Sequence, residues 1–100
     1  MRRDEVIQIL QSHRDELKRE FGVRSLALFG SVARDEATET SDVDVLVEFD
    51  DRPIGLFHLG HTYEFLRSIL RARELDLVLR RSILEPLKPS ILRDAIDVVS

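Results

Sequence analysis

Apolar residues recur along this chain with periods that predict alternating helices and strands. Over residues 3–20, Val6, Leu10 and Leu17 fall on one face of a helix. Gly22 follows that segment and is expected to end the helix in a left-handed conformation. The remaining predicted elements are a strand over 25–29, a short helix over 31–36, a strand over 42–49, a helix over 56–71, a strand over 75–79, a helix from 89 or 90 to 95, and an edge strand at 98–99.

This order predicts a single α/β domain over residues 1–100, with a small mixed sheet. In the strand over 42–49, Val43, Val45, Val47 and Phe49 share one face. The strand over 75–79 alternates less regularly, which is typical of a central strand covered on both faces. The helices are therefore expected on one side of the sheet, with the polar strand residues open on the other side or along one edge.

Composition narrows the classes of function. The chain has 43% hydrophobic and 34% charged residues, a formal net charge of -4 and no cysteine. Disulfides, zinc-thiolate sites and a cysteine nucleophile are excluded, and the acidic balance argues against direct binding of nucleic acid. No apolar run approaches a membrane span, and the first residues lack a secretory signal. We therefore expect a cytoplasmic protein that is not bound to a membrane.

Gly30 and Ser31 stand where a predicted strand meets a predicted helix. Glycine allows close approach of the backbone to a ligand, and the unpaired amides of a first helical turn favour an anion. The pair forms a phosphate cradle in principle, although Gly-Ser after a strand is often only a turn.

Two aspartates open the next strand. Asp42 and Asp44 are two residues apart, so their carboxylates point to one face, where they repel each other. A magnesium ion would offset that repulsion, since magnesium binds a few carboxylates together with substrate phosphates. The alternative is a solvated start of the strand, with Asp44 facing water.

Asp76 lies between two leucines in the strand over 75–79. An aspartate in such a setting is expected to be paired or bound to metal; the alternative partner is a nearby arginine, Arg73 or Arg80. If the strands form one sheet, Asp76 can lie beside Asp42 and Asp44, as a general base or a ligand of a second metal ion.

The spacing of these residues resembles a known signature. Gly30-Ser31, ten intervening residues and Asp42-Val43-Asp44 are similar to the motif of the DNA polymerase β-like nucleotidyltransferase superfamily. Residues 28–34 (LFGSVAR), 41–47 (SDVDVLV) and 75–78 (LDLV) resemble its minimal branch, as do Leu84-x-Pro86 and the residues that follow. That branch comprises short prokaryotic proteins often partnered with a HEPN-domain ribonuclease toxin.

The resemblance implies a polymerase β-like palm fold and a role for each motif residue. Gly30 and Ser31 would bind the triphosphate of ATP, and Asp42, Asp44 and Asp76 would be the catalytic ligands of about two Mg²⁺ ions. Arg34 stands where the family often has a basic residue near the phosphates. The family commonly has glycine at the next position, which is Asp35 here, and this departure bears on the role of Arg34.

The resemblance also implies the reaction: an antitoxin that transfers AMP from ATP to a tyrosine of a HEPN toxin, with which it forms a hetero-oligomer. A non-catalytic module that neutralises its partner by binding alone is the alternative. Transfer to a small molecule such as an aminoglycoside is disfavoured because little chain is left to build a pocket. His58 and His61 are interpreted as surface or partner-contact residues of the long helix, and Tyr63 as core.

Overall fold

The computed structural model describes residues 2–36, 42–82 and 88–100. The predicted loop over 38–41 and the motif at 84–86 lie outside these ranges. The helices are α1 (Arg3–Ser12), α2 (Arg14–Glu20), α3 (Gly30–Ala33), α4 (Leu56–Leu70) and α5 (Lys88–Asp94). The strands are β1 (Val23–Phe29), β2 (Val43–Phe49), β3 (Leu75–Leu79) and β4 (Ile96–Val99). A 3₁₀ turn, Arg80–Ser82, follows β3. Within these ranges, no helix combines the length and the apolar character that crossing a membrane requires.

The four strands form one mixed sheet in the order β3-β2-β1-β4. The central strand β1 is antiparallel to both β2 and β4, whereas β2 and β3 are parallel and connected through α4. The predicted α/β class and the predicted edge strand near the end of the chain are confirmed. The prediction that β3 is central is wrong, because β4 adds to the far side of β1 and leaves β3 at the opposite edge. Its imperfect alternation reflects an exposed edge, where Asp76 is open to solvent.

The main core lies between one face of the sheet and the long helices. Val43, Val45 and Val47 point into it, as the alternation in β2 predicts. The helices contribute Val6 and Leu10 from α1, Leu17 from α2, and Leu66 and Leu70 from α4. On the other face, α5 covers a smaller cluster built on Ala27 and Leu46, which are register partners in β1 and β2. The even-numbered residues of β2, including Asp44, therefore belong to the less covered face.

The long first helix predicted from the sequence is divided at His13. In a continuous helix the amide of His13 would donate to the carbonyl of Ile9. Instead the Ser12 hydroxyl donates to that carbonyl at 2.7 Å, the His13 Nδ1 lies 2.8 Å from it, and the His13 amide donates to Leu10. Competition by polar side chains for a backbone acceptor is the physical reason for the break. Downstream, Gly22 has a φ of 68°, which confirms the predicted left-handed end of the segment.

The short helix α3 ends in a Schellman motif at Asp35. The amide of Glu36 donates to Ser31 at 2.9 Å and the amide of Asp35 donates to Val32 at 3.0 Å. Asp35 itself has a φ of 60°, in the left-handed region. Glycine is the favoured residue at this position of the motif, and aspartate is among the residues that tolerate it. The turn therefore closes with aspartate in the position where the resemblance led us to expect glycine.

We expect Asp35→Gly to preserve the fold and to change the free energy of unfolding by at most about 0.5 kcal/mol, because relief of the left-handed backbone is offset by the greater freedom of the unfolded chain. Asp35→Val should lower it by about 1–2 kcal/mol, since a β-branched residue is strained at positive φ. Urea unfolding monitored by circular dichroism measures both. Equal stability of the Gly and Val variants would contradict this account of the turn.

Candidate active site

The parallel pairing of β2 and β3 places Asp44 directly opposite Asp76. Adjacent strands are about 4.8 Å apart, so residues paired in register have side chains that lie side by side on one face. Asp44 is partly buried and Asp76 is exposed at the sheet edge. The alternative interpretation of Asp76 is an ion pair with Arg73 or Arg80. Among the residues that the structure describes, neither ion pair is present. The two strands thus bring two of the three predicted aspartates together.

This proximity changes the acidity of Asp44. The pKa of Asp44 is raised from 3.8 to about 6, first by burial, then by a hydrogen bond to Asp76 and by the negative charges of Asp76 and Asp42. The positive charge of Arg34 acts in the opposite direction and lowers the pKa. A hydrogen bond between two carboxyl groups requires a proton on one of them. Burial and the neighbouring carboxylates therefore favour the protonated form of Asp44.

Gly30 allows Asp44 to lie against the end of β1. Phe29, the last residue of β1, is the register partner of Asp44, and Gly30 follows it with a φ of 76°. A Cβ atom at Gly30 would contact the Asp44 carboxylate oxygen and lie 3.0 Å from its Cγ. Glycine is therefore required both by the backbone conformation and by the close approach of this carboxylate.

Ser31 lies in the first turn of α3, next to the position of the Asp44 carboxylate. Amides in the first turn of a helix have no intrahelical acceptor, and they attract an anion together with the helix dipole. Ser31 is only partly buried, so part of the residue is open to solvent. The predicted phosphate cradle at Gly30 and Ser31 thus adjoins the aspartate pair through the contact of Gly30 with Asp44.

Arg34 is held by two carboxylates that the sequence did not identify. Its Nε donates to Glu36 at 3.1 Å, and its Nη1 donates to Asp94 of α5 at 3.3 Å. The hydrogen bond to Glu36, followed by that to Asp94, raises the pKa of Arg34. A guanidinium group has five N–H donors, so these two contacts leave others for a phosphate. The influence of Arg34 on the pKa of Asp44 places its charge near the predicted nucleotide site.

Asp42 precedes β2 and influences Asp44 electrostatically. Within residues 2–36, 42–82 and 88–100, no three acidic or histidine side chains are arranged as a group ready to hold a metal ion. The chemistry of the donor set nevertheless fits magnesium, which prefers carboxylate oxygens and keeps several waters and substrate oxygens as further ligands. A bound cation would also relieve the repulsion that raises the pKa of Asp44.

A cavity of about 900 Å³ opens beside the aspartate pair, between β3 and the first half of α4. Its walls are mostly apolar, and we call it the β3-edge cavity. It is lined by Phe29, Asp44, Leu56, Phe57, Leu59, Gly60, His61, Tyr63, Glu64, Leu75, Asp76, Leu77 and Val78. The sequence carries one signal for this cavity: Phe57 is a large aromatic residue outside the apolar stripe of α4.

The two histidines of α4 have different surroundings. His58 is partly buried, its Nε2 lies 2.6 Å from the backbone carbonyl of Phe21, and its ring packs edge-on against Phe49. His58 therefore connects α4 to the end of α2. It does not lie on a free surface, which is one of the two roles that the sequence predicts for it. His61 is exposed and lines the β3-edge cavity, and Tyr63 packs against the core while also lining the cavity.

We expect Gly30→Ala to lower the free energy of unfolding by about 1–2 kcal/mol through the left-handed backbone alone, and to displace the Asp44 carboxylate. Gly60→Ala is the matched control. Gly60 is in the middle of α4 with open space around the position of a Cβ, so alanine should stabilise by about 0.5–1 kcal/mol. Chemical denaturation measures whether the free energy of unfolding falls for Gly30→Ala and rises for Gly60→Ala. A Gly30→Ala protein as stable as the parent would contradict the close approach.

The raised pKa of Asp44 has a consequence for stability. A folded-state pKa of about 6 against an ordinary 3.8 means that its stabilising contribution is present below pH 3.8 and is lost as pH rises through 6. With chelator present, Asp44→Asn should therefore raise stability at pH 7.5 by about 1 kcal/mol, a value reduced for solvent screening of a partly exposed group.

At pH 4.5 most of that gain should disappear, because the parent carboxyl is then protonated. Thermal unfolding at the two pH values measures the difference. Asp97→Asn, at an exposed position on β4, is the matched control and should give no such pH-dependent gain. If Asp44→Asn raised the stability equally at both pH values, the raised pKa of Asp44 would be contradicted.

Comparisons with known proteins agree with this geometry. The family model described as "Nucleotidyltransferase domain" matches residues 10–98. The protein adenylyltransferase MntA of Thermococcus cleftensis is 39% identical over 95 residues, which cover 95% of this chain and 94% of that protein. Among solved structures, one described as a putative minimal nucleotidyltransferase matches with a TM-score of 0.76 and 32% identity, covering 96% of this chain and 95% of the other.

A more distant match shows the fold alone. It is the MNT antitoxin structure in complex with the tri-AMPylated HEPN toxin of Shewanella oneidensis, with a TM-score of 0.62, 20% identity, and coverage of 92% of this chain and 71% of that chain. The predicted fold and the predicted enzyme class are both confirmed by the closer matches. With its Gly-Ser turn set against facing aspartates, this chain belongs to the nucleotidyltransferase domain family, in its minimal branch.

Proposed function

We propose that this protein is an antitoxin that transfers AMP from ATP to a tyrosine of a partner HEPN-domain toxin. The support is of two kinds. The chain belongs to a family of nucleotidyltransferases, and a relative that matches nearly the whole chain is named a protein adenylyltransferase. A neighbour in fold is an antitoxin found with an AMPylated HEPN toxin. The chemistry of the facing aspartates is compatible with this reaction.

The observation that carries the proposal is the register of β2 against β3, which sets Asp44 beside Asp76 next to the Gly30 turn. A carboxylate such as Asp44, whose pKa is raised by burial and by the neighbouring Asp76, is unfavourable for stability alone. Groups whose pKa is perturbed in this way concentrate at functional sites. Their position beside a phosphate cradle favours phosphoryl chemistry over a purely structural role.

Asp42, Asp44 and Asp76 would hold Mg²⁺, which supplies positive charge against the triphosphate and the developing charge of the reaction. Gly30 and Ser31 would bind phosphate oxygens through backbone amides and the Ser31 hydroxyl. Nucleotidyl transfer asks mainly for such positioning and charge neutralisation. This division of roles follows the order of the strands, with phosphate contacts after β1 and carboxylates on β2 and β3.

In the proposed reaction, the tyrosine oxygen attacks the α-phosphorus of ATP. The bond from that phosphorus to the bridging oxygen breaks, and pyrophosphate leaves. Asp76, exposed at the edge of the sheet, accepts the proton of the attacking hydroxyl. Arg34 contributes its charge to the phosphates with the N–H donors that Glu36 and Asp94 do not use.

A second candidate is neutralisation by binding alone. The observation in its favour is the apolar β3-edge cavity with exposed Leu56 and Phe57, which would suit docking whether or not chemistry follows. The two candidates differ in whether the carboxylates are needed, and one substitution series distinguishes them.

The test incubates the protein with a HEPN-domain toxin from the same organism, ATP and Mg²⁺, and weighs the product by intact mass spectrometry. We expect a gain of one or more AMP units on a tyrosine. Asp42→Asn with Asp44→Asn, or Asp76→Asn alone, should reduce the rate by at least about a hundredfold. Glu48→Gln, which removes an acid from the same face of β2, is the matched control and should retain transfer.

A wild-type protein that adds no nucleotide with any of the four ribonucleoside triphosphates would rule out the enzymatic proposal. If the Asp42→Asn, Asp44→Asn protein still neutralises the toxin as well as the parent does, binding alone is sufficient. Loss of neutralisation while the complex still forms would instead establish that chemistry is required.

A further inference from the structure

We infer that the β3-edge cavity, with Leu56 and Phe57 at its rim, is the docking site for the acceptor segment of a partner protein. The segment would combine apolar side chains with at least one arginine or lysine beside the modified hydroxyl. This inference rests on the proposed function and adds to it the surface that receives the acceptor.

The first argument is the exposure of the rim. Leu56 is 82% exposed and Phe57 86% exposed, and both lie in the first turn of α4. They adjoin a cavity of about 900 Å³ whose walls are mostly apolar, so they extend one continuous apolar surface. Contiguous exposed apolar surface of this kind marks interaction sites, and aromatic residues are enriched at the centres of protein interfaces.

The second argument is the position of the cavity relative to the phosphate cradle. Gly30 follows β1, Asp44 lies on β2 and Asp76 lies on β3, so the three occur in order across the sheet. Asp44 and Asp76 line the cavity, whereas Gly30 and Ser31 do not. In phosphoryl transfer the attacking and leaving oxygens are roughly in line. With phosphates on the β1 side, the attacking hydroxyl enters from the β3 side, where the cavity opens.

The third argument is charge complementarity, which selects the occupant. Besides Asp44 and Asp76, whose charges the proposed Mg²⁺ would offset, the cavity is lined by the acidic Glu64 and by His61. The whole chain also carries a formal net charge of -4. An acidic cavity favours a cationic segment over a second anion, so a basic protein segment fits better than the base and ribose of a further nucleotide. The broad apolar rim fits a folded partner better than a small molecule.

The test measures docking separately from chemistry. The dissociation constant for a HEPN-domain toxin from the same organism is determined by biolayer interferometry without nucleotide. Leu56→Ser with Phe57→Ser should weaken binding at least tenfold, mainly through faster dissociation. Leu92→Ser, which replaces an exposed leucine of α5 that does not line the cavity, is the matched control and should bind as the parent does.

A second pair of variants tests the charge argument. Glu64→Lys should weaken binding at least threefold at low ionic strength and less at 0.5 M salt, since exposed charges are screened. Glu16→Lys reverses an exposed charge on α2 that does not line the cavity and should leave the affinity unchanged. Hydrogen exchange should show protection of residues 56–64 in the complex.

Several outcomes would overturn the inference. Binding unaffected by Leu56→Ser with Phe57→Ser would do so, as would the absence of any binding by the wild-type chain. A change in ATP affinity from that pair, with partner binding intact, would assign the cavity to the nucleotide instead. Because docking is read without nucleotide, a protein that docks through this rim but transfers no AMP would retain the docking surface, while the proposed function and the acceptor role of the docked segment would fail.

Discussion

The candidate active site depends on a like-charge contact that the hydrophobic core enforces. Val43, Val45 and Val47 are buried between the sheet and the long helices, and this fixes which face of β2 carries Asp44. A shift of one residue in the register of β2 would turn those valines to solvent and the acidic residues into the core. The apolar side of the strand therefore holds Asp44 opposite Asp76 against their mutual repulsion. The favourable packing on one face of β2 therefore holds an electrostatically unfavourable pair of aspartates on the other face.

The turn after β1 completes this arrangement through a steric constraint. The antiparallel register pairs Phe29 with Asp44, so the next residue must leave the strand beside the carboxylate. Only a residue without a Cβ atom leaves room there, and Gly30 has the positive φ that redirects the chain into α3. One glycine thus couples three features: the end of a strand, the start of a helix and the position of an acidic side chain. The same helix closes at Asp35 in a left-handed conformation, within a motif that also places Arg34 and Glu36.

The sequence predicted the elements that depend on local periodicity. It did not indicate the features that depend on which side chains or strands meet in space. The strands β2 and β3, the helix α4 and the Gly30 turn follow from patterns within a few residues of each position. The break at His13 arises from side chains that compete for one carbonyl, which helical periodicity does not register. The edge position of β3 depends on where β4 pairs, a choice made by residues far away in the chain. Likewise Asp94 reaches Arg34 from α5, and no pattern around Arg34 indicates that contact.

The edge position of β3, which the sequence did not predict, bears most directly on what the site can accommodate. A central β3 would be flanked by another strand, and the aspartate pair would open only above the face of the sheet. With β3 at the edge, Asp76 is exposed and the first half of α4 forms the other wall of an open cavity. The connection from β2 through α4 back to β3 thus places Leu56 and Phe57 on the same side as the aspartates. A sheet that ends here leaves its carboxylates open to lateral access by a group as large as a protein segment, which a strand paired beyond β3 would block.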